Sequence, residues 1–151
     1  MTSEEAIINI LQEQIRSYKA LLVLLKEEKE CLVNINPDKV SELSKEKDTI
    51  VMRLRLLEEE RVRLVNEFVR ENGISGKVNL KQLATITGND DFSTLRSKLV
   101  SLLQNVEEMN KFNSILIDRS INYIKTTTSF FGTFSEENAA KTTGVLLSKE
   151  T

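Results

Sequence analysis

Histidine and tryptophan are absent from this chain of 151 residues, and cysteine and proline occur once each. Without histidine, neither a Ser-His-Asp nor a Cys-His arrangement can form. Zinc sites require several Cys or His ligands, and the di-iron bundle motif requires Glu-x-x-His, so both are excluded. The single Cys31 cannot form an internal disulfide and, inside a helical pattern, reads as a small buried hydrophobe. Gly73, Gly76 and Gly88 lack the spacing of a phosphate-binding loop and follow no strand pattern. No catalytic residue, metal or cofactor is expected, and the protein reads as a non-enzyme. Long apolar runs are missing too. The longest, from Ala20 to Leu25, is far short of the roughly 20 residues that span a bilayer. The opening Met1-Thr-Ser-Glu-Glu is acidic where a secretory signal is basic. A cytoplasmic protein that is not membrane-embedded is the expectation. A basic excess is also lacking, with 21 basic and 23 acidic residues giving a net charge of -2. Affinity for nucleic acid rests on phosphate neutralisation, so nucleic acid is not an expected partner.

What remains is the material of helices. Hydrophobic residues make up 40% and charged residues 29%, with only 5 glycines, a composition typical of helical bundles and coiled coils. A first helix is expected from about Ser3, its cap, to Ile35, with a seam of Ile8, Leu11, Ile15, Tyr18, Leu22, Leu25, Lys29 and Leu32. Ile7, Leu21, Val23 and Leu24 widen that face, and Glu27 to Glu30 mark an end approaching solvent. Asn36-Pro37-Asp38 then breaks the chain: proline suits the first position of a new helix, and Asn36 is its natural cap. Helix two follows from about Pro37 to Glu71, seamed by Val40, Leu43, Lys47, Ile50, Leu54, Leu57, Arg61, Leu64 and Phe68. So short a connection makes the two helices an antiparallel hairpin. Arg53, Arg55, Arg61 and Arg63 alternate with Glu58, Glu59 and Glu60 and read as a solvated face of weak ion pairs. Gly73 closes helix two, and Asn79 caps a short helix carrying Leu80, Leu83, Ala84 and Ile86 before Gly88 stops it.

The last long helix organises the chain. It is expected from about Phe92 to about Phe131, roughly 58 Å long at 1.5 Å per residue. Its seam runs through Phe92, Leu95, Leu99, Leu102, Val106 and Met109, then Asn113, Leu116, Ser120 and Tyr123. The first half is purely apolar, and then a carboxamide and a hydroxyl interrupt it. A face that turns partly polar suits a surface that is sometimes exposed. After Phe131, Gly132, Ser135 and Gly144 break the period. The expected architecture is therefore all-α: an elongated antiparallel bundle of three long helices plus a short connecting helix over 1–131, then a flexible C-terminal tail over 132–151. That tail carries Phe130, Phe131, Phe134, Val145, Leu146 and Leu147 at its start and along its length, groups that either fold back or wait for a partner. Two readings of function fit: a binding module that holds an assembly-prone client, and a coiled-coil scaffold or homo-oligomerisation module. A pure oligomeriser has no need of the apolar tail.

Three stretches resemble the bacterial flagellar export chaperones of the FlgN type. In helix two, Leu43-x-x-Glu46-Lys47-x-x-Ile50-x-x-x-Leu54-x-x-Leu57-Glu58-x-x-Arg61 is similar to the family's second-helix signature. In the last helix, Asn110-x-x-Asn113-x-x-Leu116-Ile117-x-x-Ser120-Ile121 resembles its Asn-x-x-Asn-x-x-Leu-Leu/Ile segment. Phe131-Gly132 then stands where many members carry a Tyr-Gly pair. The resemblance implies a cytoplasmic chaperone for the hook–filament junction (hook-associated) proteins, holding their helical terminal segment from premature assembly and bringing it to the flagellar type III export gate. It places client binding in the C-terminal part and export-gate docking at Phe131 and Gly132. By helix-in-groove recognition, a client helix would lie against Met109, Leu116, Ile117, Ser120 and Tyr123, with Asn110 and Asn113 fixing its register by hydrogen bonds. Phe130, Phe134, Val145, Leu146 and Leu147 would then fold over it.

Overall fold

The structure, a computed structural model, describes the backbone of residues 1–139; side chains are described through residue 122 and at 125, 126, 128, 129 and 133. Four helices follow one another: α1 (Ser3–Val33), α2 (Pro37–Glu71), α3 (Leu80–Thr87) and α4 (Asp90–Ala139). No strand occurs among the described residues, so the fold is all-α, three long helices and one short, as the sequence predicts.

Local chemistry sets the boundaries. α1 is capped by Thr2 rather than Ser3. The Thr2 hydroxyl accepts from the Glu5 N–H at 3.1 Å, while the Glu5 carboxylate accepts from the Thr2 N–H at 3.2 Å, a reciprocal box that satisfies two end donors. At the other end α1 stops at Val33, two residues earlier than expected, because Ile35 adopts the left-handed region at φ 51°. The Asn36 N–H then donates back to the Cys31 carbonyl at 2.9 Å, closing the helix end. Asn36 at once caps α2, its side-chain oxygen accepting from the Lys39 N–H at 3.3 Å, with Pro37 in the first turn. Asn79 and Gln82 make a second reciprocal box at 2.8 and 2.9 Å that starts α3, and Gly88, at φ 67°, ends it.

α1 and α2 pack antiparallel. Ser3, at the start of α1, donates to Glu71 at the end of α2 at 2.9 Å, whereas Lys47, early in α2, reaches Glu28 late in α1 at 2.9 Å. The main core joins Ile7, Leu11 and Ile15 of α1 to Val65, Phe68 and Val69 of α2, Leu83 of α3, and Phe92, Leu95 and Leu99 of α4. A second cluster unites Leu21, Leu25 and Leu54, with Tyr18, Ile50, Val106 and Met109 packed against it. Each fully buried Leu, Ile or Phe contributes roughly 1.5–3 kcal/mol.

Two further expectations change. Glu28, expected near solvent, is 2% exposed, because Lys47 on the α2 seam comes to meet it. α4 also passes through Gly132 and is helical to Ala139, the last described residue, rather than only to near Phe131. A glycine inside a helix costs only about 1 kcal/mol, and the Thr133 hydroxyl donates to the Ser129 carbonyl at 3.1 Å. The chain divides into two compact units, Met1–Lys111 and a second that starts at Phe112. The first holds both core clusters.

Candidate functional site

Within the second unit α4 has no glycine or proline before Gly132, so side chains from Phe112 onward fall at regular helical intervals. Phe112, Ile115 and Leu116, at i, i+3 and i+4, share one face. Ile117 and Ile121, at i and i+4, share another, and Asn113 lies between the two. Their exposure separates them sharply. Asn113 is 1% exposed, whereas Phe112 is 44%, Ile115 42% and Ile121 44% exposed. Leu116 and Ile117 are half-buried, and Lys111, Asp118 and Arg119 border the apolar groups with exposed charge.

Phe112, Ile115 and Leu116, on one face and bordered by exposed charge, make a surface suited to another apolar face. Such an arrangement binds by burial and shape. Among the described residues no cluster of three or more Cys, Asp or Glu could hold a metal ion. None of the described helices is long and apolar enough to cross a membrane.

The candidates from sequence are distributed unevenly. Met109, in the first unit, packs on the chain's own Leu21, Leu25 and Leu54. Asn110 and Ser120 are exposed, Asn113 is buried, and Leu116 and Ile117 sit at the margin of burial. The two asparagines therefore occupy opposite environments. Tyr123, Phe130, Phe131 and Phe134 have helical backbone, and their side chains fall outside what is described, as do Val145, Leu146 and Leu147 entirely. Gly132 is buried within α4. Among the described residues of this unit Phe112, Ile115 and Ile121 carry the most exposed apolar surface, and the seam pattern passes them by. Their signal was present: an apolar residue off the seam of a helix faces away from that helix's own core.

The family model described as FlgN protein matches residues 1–140, nearly the whole chain. No curated protein and no solved structure matches.

Proposed function

The chain belongs to the FlgN family, the flagellar export chaperones, and on that premise we propose that it escorts hook-associated proteins of the hook–filament junction in the cytoplasm. The helical terminal segment of such a client lies along α4 in the second unit, covering the face of Phe112, Ile115 and Leu116. The observation that carries this reading is the exposure of Phe112 and Ile115, each above 40%, on one face of α4. An amphipathic client helix buries its own apolar face there and is kept from assembling. Ser120, exposed, supplies a polar contact at the edge of that face.

In this reading Tyr123 extends the strip, and Phe130, Phe134, Val145, Leu146 and Leu147 close over the client. Ordering such a segment costs on the order of 2–5 kcal/mol, which keeps binding reversible. Phe131 and Gly132 dock on the export gate. The experiment is co-elution of the purified chain with the client's terminal segment, comparing the intact chain, a chain ending at residue 139, and Leu116→Asp. Weaker capture by the shortened chain and none by Leu116→Asp, at unchanged far-ultraviolet helicity, support the escort. A tight oligomer of the chain alone that excludes the client supports the scaffold reading instead.

A further inference from the structure

The first unit contains a cleft of about 570 Å³. Its apolar floor is Leu99, Val100 and Leu103 of α4, with Val100 38% and Leu103 43% exposed. One wall is the α1–α2 pair, where Gln14 donates to Glu58 at 2.8 Å and Arg61 holds the same carboxylate. The opposite wall is the connector between α2 and α3, at Lys77 and Val78.

Three properties of this cleft point to one kind of occupant. The first is charge. Arg61 and then Gln14 hold the Glu58 carboxyl below its usual range, so the one acid on the wall is already neutralised by its neighbours. Lys77 and Arg96, both exposed at the cleft, form no ion pair among the described residues. The second is backbone. Lys77 and Val78 lie outside any helix, and no hydrogen bond engages their N–H or C=O groups among the described residues. Such a stretch leaves backbone groups with which an extended chain can pair. The third is size. A volume of about 570 Å³ takes an extended segment of a few residues.

We propose that this cleft docks an extended peptide from another protein, with acidic and apolar residues alternating along it. The peptide backbone pairs with Lys77 and Val78, its carboxylates meet Lys77 and Arg96, and its apolar side chains rest on Leu99, Val100 and Leu103. Alternation follows from strand geometry, since successive side chains point to opposite faces. This site is independent of the client strip and takes a strand where that strip takes a helix.

The test is fluorescence anisotropy on the full-length protein with a fluorescein-labelled octapeptide alternating Glu and Val. Saturable binding is expected, with binding lost for a Lys/Val peptide and for a Glu/Val peptide N-methylated at alternate positions. Lys77→Glu/Arg96→Glu, with helicity unchanged, should weaken binding about ten-fold or more. No saturable binding, or equal binding by the double variant or the Lys/Val peptide, overturns the proposal. Binding that emerges only after the chain is cut back to residue 139 assigns the cleft to the protein's own C-terminal residues and overturns it as well.

Discussion

Lys47 on α2 donates a 2.9 Å hydrogen bond to Glu28 on α1, a carboxylate whose side chain is only 3% exposed. The pair lies near the closed end of the helical hairpin and helps to fix its register, because sliding either helix by a turn would separate this buried carboxylate from the lysine. Breaking one half of a buried ion pair is costly, while replacing both halves with apolar groups is often close to neutral. Lys47→Met should therefore cost roughly 2–4 kcal/mol, somewhat reduced by the 24% exposure of the lysine. Glu28→Leu/Lys47→Leu should lie within about 1 kcal/mol of the parent. Urea denaturation of the two variants checks this, and similar losses in both would assign the pair a different role.

Ile35 holds a φ of 51° between α1 and α2 and is 84% exposed. A left-handed conformation costs an ordinary residue roughly 1–2 kcal/mol, and a β-branched one crowds its own backbone further. Glycine escapes that strain but gains freedom when unfolded, which offsets part of the benefit. Ile35→Gly is expected to stabilise the protein by about 0.5–1 kcal/mol, a rise of a few degrees in Tm. A lower Tm on thermal unfolding by circular dichroism would show that the exposed side chain contributes more than the strain removes.

Stability should be flat between about pH 6 and 8, since the chain has no histidine to titrate there. The decline belongs in acid. Arg61 and Gln14 depress Glu58, Arg16 and Arg53 depress Glu13, and Arg63 depresses Glu60. A carboxyl with a folded pKa below its unfolded value stabilises the fold fully above the unfolded pKa, and that contribution disappears as pH falls through the folded pKa. Unfolding midpoints measured across pH 3 to 8 should therefore drop only below about pH 4–5. Glu58→Gln should lower the neutral-pH plateau slightly and shallow the acid slope. A slope unchanged by this substitution would remove Glu58 from the acid response.

Much of the fold is legible in the residue pattern, and the departures have physical causes. The Asn36-Pro37 break, the bounds of α2, the Asn79 cap and the seam of α4 through Met109 all follow from caps and apolar spacing. The seam of α1 is displaced: Ile7, Leu21 and Leu24 are buried along with Leu11, Ile15 and Leu25. The reason is that Gln14, Ser17 and Glu28 are buried too, and a pattern of apolar residues alone treats polar ones as surface. Partners on another helix, Glu58 for Gln14 and Lys47 for Glu28, decide those positions. Ile35 in a left-handed turn contradicts its own conformational preference, so no sequence rule selects it. The exposed apolar residues Phe112 and Ile115 required the opposite inference from core-finding, because they lie off the seam that the apolar spacing picks out. The cleft between α1, the connector and α4 depends on distant segments meeting, which periodicity does not encode.

The most direct test of the escort is isothermal titration calorimetry of the full-length protein with the helical terminal segment of a hook–filament junction protein. It compares the parent chain with Phe112→Ser/Ile115→Ser. Losing two large apolar anchors should weaken binding by at least about ten-fold, with a smaller negative heat-capacity change and unaltered helicity. Equal affinity and equal heat capacity in the two proteins would contradict the assignment of this α4 strip as the surface that holds the client.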